Sequence, residues 1–349
     1  MLHAHMRPQS LVQTIESRYG SDRNGLVWGY VFEAGRPASA IDSDAAAEWL
    51  ATRQRQPSKA FLWLHFSLSN ASAEPWLRKN LKMPATFHES LHELETSTRL
   101  EQEGDVLVAV IHDVQYEFSF DPANVSTVSL YIAPNILVSA RLRPLRSLDR
   151  LREAVRSGQS FRSPAELLAH LFRDQAAVLV DIARQSTNRV DVIEDKLLEN
   201  RISISRRELG SLRRMLVRLQ RLLAPEPAAL FRLLNRPPAW IASEDLQDLR
   251  EAAEEFSTAV IDSAALVERV KLLQEELAEQ INEETNRTLF LLTMVTVIAL
   301  PINLVAGLFG MNVGGIPLAE AGHGFLLIVG VLAAFTGLLA WLALGRRRD

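Results

Sequence analysis

The stretch Gly310-Met311-Asn312-Val313-Gly314-Gly315-Ile316-Pro317 lies between two apolar runs, 288–309 and 325–344, and neither run contains a charged residue. Each run has about 20 residues, the length that an α-helix needs to cross a hydrocarbon core of about 30 Å. Only the 15 residues 310–324 join the two runs. The sequence therefore predicts a transmembrane hairpin at 288–349 whose two ends face the same side of the membrane.

The distribution of positive charge orients this hairpin. Arg287 precedes the first run and Arg346, Arg347 and Arg348 follow the second, whereas the connecting loop contains no lysine or arginine. Basic residues favour the cytoplasmic side, so we expect both termini in the cytoplasm and the loop outside. The first 20 residues have no apolar central region, and we expect no signal peptide there.

The first 287 residues form the soluble part. Residues 1–145 predict an α/β domain, with strands near 26–32, 61–66, 106–111, 127–132 and 136–140 and helices near 43–55 and 83–95. The net charge of −4 and the lack of a glycine-rich phosphate loop argue against nucleic-acid and nucleotide partners. The absence of cysteine excludes disulfides and thiolate metal sites.

Residues 146–287 predict a helical domain that ends in a stalk helix. Capping boxes at Ser163 and Ser205 predict two helices, to about 200 and about 225, and Ser243 caps a third. Apolar residues then recur at spacings of three and four, and no glycine or proline occurs from 243 until Pro301. We expect one helix of about 65 residues, about 100 Å long, that enters the membrane without a break. Such a helix predicts association with copies of itself.

One face of the first apolar run carries small and polar side chains at spacings of three and four residues, which places them on one side of a helix. This pore stripe consists of Asn286, Leu289, Thr293, Thr296, Leu300, Asn303, Gly307 and Gly310. Two explanations fit it: close packing between helices, or the lining of a water-filled pore. Asn303 near mid-span and Asn312 at the end of the run favour a pore. Leu289 and Leu300 are the candidate hydrophobic gates.

The same face is acidic before the membrane, where it continues backwards through Asn282, Glu279, Glu275, Leu272 and Glu268. Between 244 and 286 there are 13 acidic residues against three basic ones. Repeated around a symmetry axis, this face predicts a cytoplasmic vestibule that concentrates cations. A solvated stalk surface explains part of this acidity, but not the phase that Glu268, Glu275 and Glu279 share with the threonines.

The Gly310-Met311-Asn312 turn between two C-terminal spans resembles that of the CorA superfamily of divalent-cation transporters, and the longer string through Pro317 resembles its zinc-transporting, ZntB-type branch. The resemblance covers the whole layout. It implies an α+β membrane protein of the bacterial inner membrane: a funnel-shaped homopentamer with a cytoplasmic α/β domain and a long helical stalk continuous with the first of two transmembrane helices. Its partners would be other copies of the chain, the lipid bilayer and the transported cations. It would be no enzyme and would need no cofactor.

The resemblance also implies roles for single residues. Gly310, Met311 and Asn312 would form the outer mouth, where the Asn312 amide meets the hydrated ion, and Gly310 suits a helix end with positive φ. The better-known magnesium transporters of the superfamily carry an acidic residue soon after this turn, whereas Val313-Gly314-Gly315-Ile316-Pro317 replaces it here. Glu320 and His323 follow in the loop as candidate entrance ligands or as plain surface residues. The branch implies proton-coupled zinc uptake, and a magnesium or cobalt channel is the alternative.

A second motif competes with this interpretation. His88-Glu89-Ser90-Leu91-His92 matches the H-E-x-x-H pattern of zinc proteases, in which two histidines on one helical face bind zinc and the glutamate acts as base. A membrane-anchored metalloprotease or an accessory zinc site at His88 and His92 is therefore a further hypothesis. The other explanation is an ordinary helix surface with a chance match.

Overall fold

The computed structural model describes residues 20–53, 60–92, 97–115, 124–198, 202–311 and 322–345. The chain divides into two compact units, Met1–Leu273 and Gln274–Asp349. The first unit contains a β-sheet and most of the helices. The second contains two apolar helical segments, one at the end of a very long helix and one near the C-terminus.

A mixed sheet of seven strands forms the centre of the first unit. The strands are β1 Leu26–Phe32, β2 Ser39–Ala40, β3 Phe61–Ser67, β4 Arg99–Glu103, β5 Val106–Val114, β6 Val125–Ala133 and β7 Ile136–Arg141. Their order across the sheet is β2-β1-β3-β7-β6-β5-β4. Only the β3–β7 pair is parallel among these strands.

The helices cover both faces of this sheet. They are α1 Ser43–Arg53, α2 Ala73–Asn80, α3 Ala85–Ser90, α4 Arg146–Arg156, α5 Pro164–Leu198, α6 Ile202–Leu223, α7 Pro225–Asn235, α8 Ser243–Phe309 and α9 Gly324–Gly345. In β3, Leu62 and Leu64 face a core that includes residues of α1–α3. Phe61 and Trp63 face the opposite core, which contains residues of α4–α8. Because both faces are covered, β3 is an almost continuous apolar run.

The predicted strands are all present, with ends that differ by at most three residues. Strands β2 and β4 were not predicted. The sequence of β4 is Arg-Leu-Glu-Gln-Glu, and three of its five residues are exposed at the edge of the sheet. An edge strand of this kind lacks the apolar alternation that identifies a half-buried strand.

The helix predictions need several corrections. Helices α2, α4 and α7 were not predicted, and of the helix expected at 83–95 the described residues contain only α3. The second predicted helix was expected to end at about 225, but Pro225 occupies the first turn of a further helix, α7, where a missing N–H costs nothing. Helix α6 begins at Ile202, so Ser205 lies inside it and is not its cap. Ser163 does cap α5, since its Oγ accepts the Glu166 N–H at 3.0 Å.

The long helix is confirmed. Helix α8 is continuous from Ser243 to Phe309, 67 residues, with Pro301 inside it. Asp245 and Asp248 in its first turns bind Arg162, which lies just before α5. Further along, Phe256 of α8 packs against Phe172 of α5, with ring centroids 6.2 Å apart. The first part of α8 therefore belongs to the core of the first unit, Met1–Leu273, which we call the soluble unit.

Candidate cation pathway

By length and composition alone, one of the described helices, Ser243–Phe309, could cross a membrane, and α9 contains a shorter apolar stretch, Gly324–Leu338. None of the apolar window of α8 is buried within the chain. Leu289, Leu300 and Leu304 are each more than half exposed. An apolar helix without protein cover needs lipid or other copies of the chain around it.

The residues of the pore stripe share this exposure. Asn286, Leu289, Thr293, Thr296, Leu300, Asn303, Gly307 and Gly310 are all exposed in the single chain. The side chains on other faces of the helix are similarly uncovered, for example Leu291 at 55% against Leu300 at 65%. A single chain therefore does not decide which face of α8 meets water, and the assignment of the stripe to a pore stays a prediction.

Thr296 shows how this helix satisfies its hydroxyl groups. Its Oγ1 donates to the carbonyl oxygen of Leu292 at 2.9 Å. Because the proton is directed at the helix backbone, the lone pairs of the oxygen remain free to accept a hydrogen bond from outside the helix. Thr285 and Thr288 use the same bond to the fourth preceding carbonyl. Such a threonine presents an acceptor, which suits the water shell of a cation.

The first apolar segment ends at the predicted outer mouth. The Gly310 N–H donates to the Ala306 carbonyl at 2.9 Å, but the φ of Gly310 is not positive, so the expected left-handed helix end is wrong. A side chain would still be crowded there, because a Cβ on Gly310 would lie 3.1 Å from the Ala306 oxygen. Met311 is half exposed, and Asn312 and Glu320 lie outside the described residues. His323 is exposed just before α9.

The acidic side chains of the vestibule stripe are also exposed. Glu268, Glu275, Glu279 and Asn282 all lie on the surface of α8. The carboxylate of Glu268 is 3.3 Å from Lys271 Nζ, which neutralises part of its charge. No ion pair to Glu275 or Glu279 is present among the described residues. Their negative charge is therefore available to attract cations.

The H-E-x-x-H segment does not have the geometry of a protease site. Helix α3 ends at Ser90, and His92 lies beyond it in a turn, with its Nε2 2.9 Å from Glu74 Oε2. His88 is buried, and that burial lowers its pKa. Among the described residues, no group of three or more His, Cys, Asp or Glu side chains could hold a metal ion.

A buried polar group at the end of β5 was not predicted at all. It contains His112 and Asp113 of β5, Gln175 of α5 and Glu226 of α7, and each of the four is at least nine-tenths buried. Two signals in the sequence could have identified it. Asp113 interrupts an otherwise apolar strand, and Glu226 stands between two prolines in a segment with few other charges.

Comparison with known proteins identifies relatives along most of the chain. A family model described as CorA-like Mg2+ transporter protein matches residues 58–346. The divalent cation transporter CmaX of Pseudomonas aeruginosa is 29% identical over 323 residues, which are 90% of this chain and 95% of that protein. The zinc transport protein ZntB of Pectobacterium atrosepticum is 24% identical over 282 residues, 80% of this chain and 85% of the relative.

Two solved structures resemble the fold. The structure of full-length CmaX matches with a TM-score of 0.76 and 26% identity, covering 94% of this chain and 99% of that one. The CorA magnesium transporter from Methanocaldococcus jannaschii matches with a TM-score of 0.71 and 18% identity, covering 90% and 96%. These relatives are transporters and not enzymes, so the metalloprotease hypothesis for His88, Glu89 and His92 is wrong.

Proposed function

The chain belongs to the family of CorA-like Mg2+ transporter proteins and is a divalent-cation transporter, and we propose that it carries zinc through a homopentameric pore in the bacterial inner membrane. In this proposal uptake is coupled to protons, and other divalent transition-metal ions are further substrates. Both termini face the cytoplasm, α9 forms the second span, and the loop 310–324 faces outside.

The choice of zinc rests on the relatives and on the loop. Several relatives bear the name zinc transport protein ZntB, although CmaX, at higher identity, is named only for divalent cations. The loop continues from Asn312 with Val313-Gly314-Gly315-Ile316-Pro317, and this string has no acidic residue of the kind expected soon after the turn in magnesium transporters of the superfamily. Because the chain contains no cysteine, zinc would be bound through oxygen or imidazole ligands or through its own water shell.

The observation that carries the pore is the exposed polar stripe of α8. An amide such as that of Asn303 is costly in hydrocarbon unless it meets water or a polar partner, and no described residue of the same chain covers it. Five copies around an axis would supply both water and partners. The ion would meet Asn312, flanked by Gly310 and Met311, and then pass Gly307, Asn303, Leu300, Thr296, Thr293, Leu289 and Asn286. Glu268, Glu275, Glu279 and Asn282 would form the cytoplasmic vestibule.

Flux into liposomes tests this proposal. The purified protein should transport radiolabelled zinc, and Asn312→Ala and Asn303→Leu should each reduce the initial rate at least about tenfold, equivalent to about 1.4 kcal/mol in the barrier. An inward proton gradient should raise the rate. Leu291→Ala, on the opposite face of α8, should leave it unchanged. Zinc flux that is insensitive to both asparagine variants would refute the pathway.

A magnesium or cobalt channel is the second candidate, and the description of the matching family model favours it. Neutral amide and hydroxyl oxygens leave the water shell of a dication in place and discriminate poorly between dications. Competition between magnesium and zinc in the flux assay distinguishes this channel from the proposed zinc transporter. Millimolar magnesium that abolishes zinc flux, together with magnesium flux that ignores the proton gradient, would replace the zinc assignment with this one.

A further inference from the structure

Glu226 is the most deeply buried carboxyl group described in this protein. It lies in the first turn of α7, and its side chain has no exposed surface. Its Oε1 accepts the backbone N–H of His112 on β5 at 2.5 Å. Its Oε2 is also buried and has no hydrogen-bond partner among the described residues. One oxygen of this carboxyl group is thus bound by a donor and the other is not.

The ionisable group opposite Glu226 on β5 is His112, which would pair with the carboxylate only if its imidazole were protonated. On β5, His112 Nδ1 is 3.8 Å from Glu226 Oε1 and is 3.1 Å from the Thr98 hydroxyl instead. Its neighbour Asp113 is an acid. On α5 the facing side chain is Gln175, a neutral amide that donates to the His112 carbonyl at 2.7 Å. On β4, which packs against α7, Glu101 and Glu103 are exposed and Arg99 is half-buried. On α6, which also packs against α7, Arg213 is half-buried, and Arg214, Arg218 and Arg221 are exposed.

Asp113 makes an ionised Glu226 still less favourable. Its carboxylate is held by Ser147, which donates its N–H to Oδ2 and its hydroxyl to Oδ1, both at 2.8 Å. Burial raises the pKa of Asp113 to about 7 in spite of these bonds. Burial, and then the repulsion of Asp113, raise the pKa of Glu226 well above its ordinary value. A bare carboxylate oxygen in a sealed core is strongly unfavourable, and a proton on Oε2 removes its charge.

We propose that Glu226 is a proton-binding site of the soluble unit, with the proton on Oε2, and that release of this proton detaches the first turn of α7 from β5. The bond from the His112 N–H is the described hydrogen bond that fixes the Glu226 side chain to the sheet, and Pro225 and Pro227 contribute no backbone N–H in this turn. Helix α7 ends at Asn235 and α8 begins at Ser243. The site therefore connects the protonation state of the core to the segment that leads into α8.

The expected direction of the pH effect follows from the two pKa values of this group. In the unfolded chain a glutamate titrates near 4.3, and in the folded chain Glu226 titrates well above that. Its stabilising contribution is therefore complete below the unfolded pKa and is lost as the pH rises through the folded pKa. The contribution of Asp113 is lost by about pH 7, and a variant that changes Glu226 alone separates the two contributions.

Glu226→Gln tests the proposal in the full-length protein in detergent. The amide copies the shape and neutrality of the protonated acid, and its oxygen can still accept the His112 N–H. We expect the melting temperature of the unmodified chain to fall by about 3 °C more than that of Glu226→Gln between about pH 5 and about pH 9. Glu101→Gln, which removes an exposed carboxyl group of β4, should follow the unmodified chain.

An infrared measurement gives an independent readout that does not rely on stability. The difference spectrum of the unmodified chain minus Glu226→Gln at about pH 5 should contain the carbonyl band of a protonated carboxylic acid, and this band should vanish at the pH where the difference in melting temperature between the two proteins stops growing. A spectrum without that band, or melting curves with the same pH dependence in both proteins, would overturn the proposal. If Glu226→Gln did not fold, titration of the acid band in the unmodified chain would decide.

Discussion

Arg269 of α8 holds Glu194 of α5 through two hydrogen bonds, Nη2 to Oε2 at 2.7 Å and Nε to Oε1 at 3.2 Å. The same Nη2 donates to Asp191 at 2.8 Å. This arrangement is the bidentate pair that a planar guanidinium forms best with a carboxylate. Since the soluble unit ends at Leu273, the pair fixes α8 to α5 one turn before that boundary.

The first prediction concerns this pair. Arg269→Gln should destabilise the soluble unit by about 0.5–1 kcal/mol, because the side chains are partly exposed and water screens their attraction. A double-mutant cycle with Glu194→Gln, followed by thermal unfolding at low and high salt, measures the coupling. The coupling should shrink in high salt. Arg36→Gln, which breaks the exposed pair with Glu33, is the control and should lower the free energy of unfolding by less. An equal loss of unfolding free energy in the two arginine variants would contradict a specific role of Arg269.

The second prediction concerns the pH dependence of the Asp113–Ser147 contact. Ser147→Ala removes one donor to a carboxyl group whose pKa is about 7. A hydrogen bond to a charged acceptor is stronger than one to a neutral acceptor. The variant should therefore lose about 2–3 kcal/mol of unfolding free energy near pH 8.5 and about 1 kcal/mol near pH 5.5. Thermal unfolding of the full chain at both pH values measures it. Ser157→Ala, whose exposed hydroxyl donates to the Ala154 carbonyl, should show no such pH difference. A loss of the same size at both values would show that Asp113 keeps one charge state.

The third prediction separates the faces of the first apolar segment. Leu300→Ala should raise zinc leak through the closed protein severalfold, because a ring of leucines closes a pore by excluding water. Leu291→Ala is the matched control, since Leu291 is similarly exposed in the single chain but lies on the opposite side of α8. The fluorescence of a zinc indicator trapped inside the liposomes gives the rate of this leak. A leak that rises equally in both variants would mean that the leucine acts through packing and not through the pore.

The fourth prediction concerns the charge of the vestibule. Glu275→Gln together with Glu279→Gln should lower zinc flux at low ionic strength by about threefold to tenfold, and the loss should fade at about 1 M salt, where the Debye length is about 3 Å. Glu284→Gln neutralises an exposed acid on the side of α8 opposite Glu275 and should have a smaller effect. A loss that persists in high salt would point to direct ion binding instead of electrostatic attraction.

Local sequence was sufficient to predict the strands that carry alternating or continuous apolar residues, and it predicted α8 across the boundary of the soluble unit. Hydrophobic periodicity and the absence of glycine and proline act over a few neighbouring residues, so both are readable without tertiary contacts. Edge strand β4 and helix α7 escaped prediction for a related reason. Their buried apolar residues pack against partners that are distant in the sequence, and a local pattern does not show those partners.

The same distinction between local pattern and distant contacts applies to the candidate site. The pore stripe was predicted because helical spacing alone places Thr293, Thr296 and Asn303 on one face. Whether that face meets water depends on other copies of the chain, and no property of a single chain decides it. The H-E-x-x-H match gave a wrong hypothesis, because the five letters do not determine that the helix ends at Ser90 or that His92 pairs with Glu74.

The sequence by itself determined that this chain has a soluble α/β part, a long helix and two apolar segments joined by the Gly310–Asn312 turn, since each of these depends on residues close together in the chain. Only the tertiary structure decided that Glu226 lies at the backbone of His112, 114 positions away, and that Arg269 reaches α5. Burial and pairing over such distances arise when separate segments fold against one another, and it is this removal from water that raises the pKa of Glu226 well above its ordinary value.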